Sequence, residues 1–448
     1  MTGIFGVYLS ENEKMEDYIN LRHACALNDI EDLGTFITML GLFNLQHRGQ
    51  LSAKVVSGEG KILEGKGLVV NILKDKDQVV SSKVCMGSVN NYFGDLEKKQ
   101  YYYVGDKKIS FVHDGHPIFQ NILNNLEDKS LSKEIIKLIN DSQEKGIVGK
   151  LNEALSKIKG SYSWIFSYDD KIIAIRQGAS PLHMGVLTGG SYVFASESCA
   201  FRDMDVKRID ALEPGEVVVI SKNQLTNMKL NKSTGGCAFE LVYRARPDSH
   251  IFGTNIAEFR IKVGKALAKK EDIDADIIVP VPESGIFSAT GYSHQSNIPL
   301  VFALIRDYNM GRFFFESDQI KRNALIKRKL KVVKELIKDK KIIVVDEAIV
   351  TGTTLKVVVG MLKESGAKEV HIRIPSPVHK SPCDKGILSP KKDLLFNRLI
   401  KENKEDNKYI EEIFKNYFQA DSLKFLDKES FMEVLGSENI CTECLNLH

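Results

Sequence analysis

The segment KIIVVDEAIVTGTTLKVVVGMLKESG, residues 341–366, limits the fold more than any other stretch of the chain. Ile342–Val345 is an unbroken apolar run, the pattern of a strand covered on both faces. It ends in two acids, Asp346 and Glu347, and the loop Thr351-Gly352-Thr353-Thr354 then opens an amphipathic helix. The surrounding sequence repeats this alternation: helix IAEFRIKVGKALAKK, strand DIIVPVP, a helix, strand PLVFALI, then KIIVVDE, a helix and EVHIRIP. Apolar strands alternating with helices predict an α/β domain with a parallel sheet.

In such a sheet, ligands sit at the carboxyl ends of the strands. The loop offers backbone N–H groups, hydroxyls and a helix N-terminus to a phosphate, and the acid pair can accept hydrogen bonds from a vicinal diol. Together they describe a ribose 5-phosphate site. The plain alternative is a buried strand and a capped helix, with Asp and Thr as turn residues; the conjunction of strand, acids and loop favours the site. A Walker loop is excluded, since no GxxxxGK[ST] occurs. At the end of DIIVPVPESG, Glu283-Ser284-Gly285 forms a turn whose amides can face a pyrophosphate, with Gly allowing close approach. Residues 321–341 carry ten Lys/Arg against two acids. They read as a solvated helix face or as a basic flap over phosphates acting through Lys327 or Lys329. Without interleaved aromatics they do not read as a nucleic-acid surface.

The first half has a different texture. GIFGVYL, KISFVHDG, YSWIFSYDDKIIAIR, SYVFASES and GEVVVISK are short strands, several paired across turns such as Asp169-Asp170, with helical patterns from Ile30 and Ser132. Antiparallel sheets with interposed helices are expected. Two domains also suit 448 residues. The join falls in the polar stretch 231–236, giving domains 1–235 and 236–448. A net charge of +3 gives no bulk case for nucleic acid. No apolar run reaches the ~20 residues of a membrane span, and the start lacks the pattern of a secretory signal. The expectation is a cytoplasmic protein with no membrane partner. Seven cysteines are too few and too scattered for a disulfide scaffold.

The chain opens MTGIFGVY. Removal of Met1 would leave Thr2 with a free α-amine, and an N-terminal Thr can act as a nucleophile with that amine as base. At this point the motifs resemble a family. TGIFGVY, LQHRGQ (45–50), FASESCAF (194–201), LEPGEVVVI, CAFELVYRARPDS (237–249), VPVPESG, the acid-pair loop, GAKEVHIRIPSP and ADSLKFL are similar, in order, to the glutamine phosphoribosylpyrophosphate amidotransferases. The resemblance covers nearly the whole chain. It implies an α+β N-terminal-nucleophile glutaminase domain, an αββα sandwich, followed by a type I phosphoribosyltransferase domain. The implied reaction forms a phosphoribosylamine, a purine-biosynthesis step, with Mg2+ held by Ser284, Asp346 and Glu347. The phosphoribosyl ligand would be bound by Glu283, Ser284, Gly285, Lys329, Asp346, Glu347, Thr351, Gly352, Thr353 and Thr354. In the cluster-bearing branch four Cys hold a 4Fe–4S centre, and Cys237, Cys383, Cys441 and Cys444 match them. From spacing alone only the last CxxC is suggestive, and zinc would serve as well. Cys25, Cys85 and Cys199 read as core thiols. A homo-oligomer, or co-assembly with an active amidotransferase, is also implied.

The glutaminase motifs depart from the pattern. Thr2 stands where the family has its nucleophilic Cys. Asp114-Gly115 stands where an Asn side chain and a Gly amide form the oxyanion hole, and an ionised Asp has no hydrogen to donate there. Asn90 lies at or near the arginine that clamps the substrate carboxylate. The acid that holds the glutamine amine is not found near SLSKE, and the segment RDPxGxRPL is reduced to RQGASPL. In the other domain Glu347-Ala348 replaces Asp-Ser, Thr351 replaces an arginine, and Tyr308 replaces a cation while Arg306 is kept. The expectation is a phosphoribosylpyrophosphate-dependent enzyme that uses ammonia or another amine and has lost glutamine hydrolysis. The rival is a non-catalytic relative that senses phosphoribosyl ligands or regulates a true amidotransferase.

Overall fold

The computed structural model describes the chain except residues 1, 25–26, 28–29, 75–81, 92–100, 120–127, 223, 231–234, 308–318, 384–393, 402–405 and 447–448. Cys25, Tyr308 and part of the polar stretch at 231–236 lie outside the described residues. The chain divides into two compact units: one comprises the residues to Gly236 with Ser249–Gly253, and the other Cys237–Asp248, Thr254–Cys383 and the C-terminal segment.

The first unit is built on two antiparallel sheets. One orders its strands Val206–Ala211, His183–Leu187, Tyr192–Ala195, Thr2–Tyr8, Val84–Asn90, Ser52–Ser57 and Ile62–Lys66. The other runs Gln224–Lys229, Glu216–Ser221, Lys171–Gln177, Ile158–Tyr168, Lys107–Phe119 and Tyr102–Val104. Alternation along Thr2–Tyr8 joins the layers, because successive side chains of a strand face opposite sides. Ile4 and Tyr8 enter a core with Val112, Ile165 and Ala174 of the second sheet. Phe5 and Val7 face the opposite side, packing with Phe36 and Leu40 of the helix Leu33–Asn44. That helix begins where it does because Asp32 accepts a hydrogen bond from the Thr35 N–H at 2.7 Å. Ile135, Ile139, Leu151 and Leu155, from helices Asp128–Asp141 and Gly146–Ser156, pack on the outer face of the second sheet around Trp164 and Phe166. The layers are helix, sheet, sheet, helix, the sandwich that the resemblance implies.

The second unit has a parallel sheet ordered Ile277–Pro280, Lys341–Val345, Glu369–Ile374 and Ser422–Phe425. Its apolar strands are buried as their runs require: Ile342–Val345 have no exposed surface. Leu355, Val358 and Leu362 of the helix Thr353–Glu364 share a core with Ile410, Phe414 and Phe418 of the helix Asn407–Phe418.

PLVFALI is not one strand. Pro299 and Val301 bond to Ile278 at the sheet edge, both at 2.8 Å, while Leu304–Arg306 pairs antiparallel with Leu330–Val332. The Ala303 N–H bonds back to the Val301 carbonyl at 3.0 Å, a tight turn that steers the chain off the sheet. The basic stretch is divided likewise, into a helix Gln319–Lys329, the strand Leu330–Val332 and a short helix Lys334–Ile337.

Candidate functional site

At the tip of the first strand of the first unit, Thr2 is buried, and its backbone pairs with Asn90 on one neighbouring strand. One side chain organises this end of the sandwich. Arg48, 1% exposed, donates through Nε to the Thr2 carbonyl at 2.9 Å, through Nη1 to Glu197 Oε1 at 2.6 Å and through Nη2 to Asp114 Oδ2 at 2.8 Å. The other Asp114 oxygen accepts the Gly115 N–H at 3.0 Å. Both features that would make an oxyanion hole are therefore committed to each other: the Asp114 carboxylate lies in an ion pair, and the Gly115 amide points at that carboxylate. Such a hole needs donors aimed at a developing negative charge, and here the charge is already present.

The surrounding residues hold Arg48 in place. Asn91 Nδ2 donates to the Arg48 carbonyl at 2.9 Å and Asn91 Oδ1 accepts from the Gln50 N–H at 3.1 Å. Gly49 passes so close to the next strand that a Cβ would lie 2.3 Å from the Asn90 nitrogen, so only glycine fits. Asn90 itself turns towards Ser88 at 3.3 Å. Arg176, from the shortened RQGASPL segment, is buried and donates to the carbonyls of Ser180, Leu212 and Gly235, a purely structural knot. Burial and the nearby Arg176 charge push the His183 imidazole down to about 4.

His47, Glu197 and Cys199 place one ligand atom each within 4.8 Å of one another. They do not suit a cation. Glu197 Oε1 accepts from both Arg48 and His47, and Oε2 accepts from the Ser249 hydroxyl at 2.8 Å. A guanidinium against the same carboxylate repels a metal ion, so the trio is the far half of the Arg48 network. Replacing Arg48 by Ala leaves Asp114 and Glu197 as buried acids without their cation, and is expected to cost about 3–5 kcal/mol. Urea unfolding measures this; a loss below ~1 kcal/mol would mean that the network is not charge-balanced by Arg48.

In the second unit, Asp346 and Glu347 stand at the carboxyl end of the central strand, 6% and 7% exposed. Burial, then the adjacent Glu347 carboxylate, push the Asp346 carboxyl well above its ordinary range. The Glu347 N–H donates to Asp346 Oδ1 at 3.1 Å, while Glu347 Oε2 is buried without a hydrogen-bond partner. A buried carboxylate oxygen with no hydrogen-bond partner among the described residues calls for one; a diol hydroxyl or a divalent ion meets that need. The loop follows: Thr351 and Thr353 hydroxyls lie 3.3 Å apart, and Gly352, at φ 73°, turns the chain into the helix Thr353–Glu364. Thr354 is the second residue of that helix.

At the neighbouring strand end, Gly285 is required by crowding, since a Cβ would meet the Val345 carbonyl at 2.4 Å. This seats the Glu283-Ser284-Gly285 turn against the acid strand. Glu283 is exposed and pairs with Arg306 at 3.3 Å. Lys329 closes the hairpin beside Arg306, its carbonyl accepting the Asp307 N–H at 2.7 Å. Lys327 instead faces Glu364 at 3.2 Å, as a solvated helix face would.

The matched cysteines come together. The strand ending at Cys237 pairs with Ile440–Cys441, and the Lys380 and Ser381 amides both bond to the Cys444 carbonyl. Burial and the nearby Cys444, Glu240 and Cys383 push the Cys237 thiol well up. Burial together with Cys383 and Cys441 pushes the Cys444 thiol to about 12. Cys85 and Cys199 are buried elsewhere, in the core beside the helix Leu33–Asn44.

Sequence reasoning missed the Arg48–Asp114 pair, whose members stand 66 residues apart, and the contact of Arg398 with the Thr351 carbonyl at 2.8 Å. The first was readable only as an acid appearing where a neutral amide was expected.

Comparison with known proteins follows the same two-part division. Residues 254–408 match the phosphoribosyl transferase domain model. The chain is 31% identical to the amidophosphoribosyltransferase of Methanocaldococcus jannaschii, with 99% of this chain and 96% of that protein covered. It is 33% identical to that of Archaeoglobus fulgidus over 92% of this chain and 94% of the relative. Its fold is similar, with a TM-score of 0.81 and 27% identity, to the glutamine phosphoribosylpyrophosphate amidotransferase from B. subtilis complexed with ADP and GMP, covering 99% of this chain and 96% of that one. On fold, architecture and relatedness over its full length, the chain belongs to the amidophosphoribosyltransferase family.

Proposed function

We propose that this chain forms a phosphoribosylamine from phosphoribosylpyrophosphate and ammonia or another amine, and that it has lost the hydrolysis of glutamine. The observation that carries the first part is the buried acid pair with its unpartnered Glu347 oxygen, one strand end away from the Thr351–Thr354 loop. Asp346 and Glu347 receive the ribose hydroxyls, the loop amides and hydroxyls hold the 5′-phosphate, and the 283–285 turn receives the pyrophosphate. Asp346, Glu347 and Ser284 fit Mg2+, which would neutralise charge on the departing pyrophosphate. The amine lone pair forms the new bond to C1 as the C1–oxygen bond breaks, and the extra proton on nitrogen leaves to water. The carboxylates, held close to the sugar, stabilise positive character at C1 in a site largely screened from solvent.

The second part rests on Asp114. Its ion pair with Arg48 and its hold on the Gly115 amide leave neither the Asp114 side chain nor that amide to receive a tetrahedral oxyanion. Calorimetry with phosphoribosylpyrophosphate and Mg2+, followed by turnover with ammonium and with small primary amines, tests the reading. Saturable binding with turnover is expected. Binding with no turnover of any amine would leave a sensor of phosphoribosyl ligands in its place.

Cys237, Cys383, Cys441 and Cys444 suit a 4Fe–4S cluster: four thiols are gathered from three separate segments, and burial together with neighbouring thiols makes Cys237 and Cys444 hard to ionise until a metal takes the charge. The cluster's role would be to fasten the C-terminal tail. Anaerobic purification followed by iron and sulfide analysis is expected to give a filled cluster, and Cys441→Ser to lose it along with thermal stability. Zinc instead of iron would overturn the assignment.

A further inference from the structure

The phosphate loop has no cation of its own: residues 348–354 are Ala-Ile-Val-Thr-Gly-Thr-Thr. A segment from beyond the sheet docks on it. The Leu395 N–H donates to the Val350 carbonyl at 2.8 Å, and Arg398 Nη2 donates to the Thr351 carbonyl at 2.8 Å. The fit is close, because a Cβ on Gly352 would lie 2.8 Å from Leu395 Cδ2 and 3.1 Å from Phe418 Cζ. Arg398 is exposed, and its remaining guanidinium donors take no partner among the described residues. Its Cζ lies 5.9 Å from the Tyr417 ring centroid, and Lys356 Nζ, from the first turn of the helix that the loop opens, lies 3.9 Å from the same ring. One aromatic ring thus holds two cations beside a loop built from amides and hydroxyls.

We propose that Arg398, steadied by Tyr417 and the Thr351 carbonyl, is the phosphate-binding cation of the ribose 5-phosphate subsite, with Lys356 adding to the same field. This rests on the loop being a phosphate site. Amides and a helix N-terminus supply only partial charge, whereas the ligand is a dianion. A fixed guanidinium supplies a full charge with donors to spare. Arg398 stands 47 residues beyond Thr351 in the chain, so nothing within the loop motif discloses it.

Calorimetry on the full chain with ribose 5-phosphate tests the proposal, with inorganic pyrophosphate as the second probe because it engages the other strand end. Arg398→Gln, which can keep the bond to the Thr351 carbonyl but loses the charge, is expected to weaken ribose 5-phosphate about tenfold and flatten its salt dependence. Pyrophosphate affinity should hold, as should the melting temperature. Arg398→Lys should recover part of the loss, and adding Thr351→Arg to Arg398→Gln should restore a cation to the subsite and part of the affinity. Unchanged ribose 5-phosphate affinity in Arg398→Gln, or equal weakening of both probes with a lowered melting temperature, would overturn the proposal. Failure of the unsubstituted protein to bind ribose 5-phosphate at all would instead overturn the phosphate-site reading beneath it.

Discussion

Thr2→Cys, with Met1 removed, is expected to leave glutamine hydrolysis undetectable. A thiol at the tip of the first strand restores a nucleophile but none of the groups that make it useful. Loss of a single oxyanion donor costs on the order of 10²–10³ in rate, and here the Asn donor is replaced by a carboxylate while the Gly115 amide is occupied by that same carboxylate. A tetrahedral oxyanion would form beside the Asp114 carboxylate, which already takes up the Arg48 guanidinium. Substrate positioning is a further large factor, and Asn90 cannot replace an arginine against a carboxylate. Adding Asp114→Asn should release Gly115 and return Arg48 to Glu197 alone, and adding Asn90→Arg should supply the clamp. Activity is expected only in the triple variant. Glutamate release is the readout, and hydrolysis in Thr2→Cys alone would show that a single residue had been lost.

The second large effect concerns Asp346. Asp346→Asn is expected to lower phosphoribosyl transfer by about 10²–10³, the scale on which electrostatic stabilisers of a transition state act. The same substitution should raise the melting temperature of the ligand-free protein by a few degrees, since about 1 kcal/mol corresponds to ~2–4 °C for a domain of about 150–250 residues. The sign follows from the direction of its shift. A carboxyl whose folded value lies above the unfolded one binds its proton more tightly in the native state. Its contribution therefore favours the fold below the ordinary carboxylate range and is lost as pH rises towards the raised folded value. Asn removes that penalty near neutrality. The protein with Asp346 should accordingly become less stable from acid to neutral pH relative to Asp346→Asn, and the gap should narrow when Mg2+ and phosphoribosylpyrophosphate are present. A variant that loses both activity and stability would mean that Asp346 is a structural residue.

The second half of the chain was legible because its physics is local. An unbroken apolar run followed by acids and a small-residue loop fixes strand, turn and helix within about fourteen neighbouring residues, Lys341–Thr354. The first unit was legible as antiparallel sheets from its paired short strands, but its layering came only with the family resemblance; the structure then shows Ile4 and Tyr8 on one face of the first strand and Phe5 and Val7 on the other. What stayed hidden lies across sequence distance. Arg48, Asp114 and Glu197 meet only because the turn Gln46–Arg48, the middle of the strand Lys107–Phe119 and the cap of the turn Ser198–Phe201 fold together, so the sequence showed a missing donor but not the ion pair that replaced it. PLVFALI was misread as one strand because its composition is uniformly apolar, whereas a single backbone bond at Ala303 divides it. Arg398 carries no motif at all; only tertiary docking brings it to Thr351.

Pyrophosphate release from phosphoribosylpyrophosphate, measured side by side with ammonium and with glutamine as the nitrogen source, tests the central claim most directly. Release with ammonium and none above background with glutamine is the expected result. Release supported by glutamine, with glutamate formed in equal amount, would contradict it.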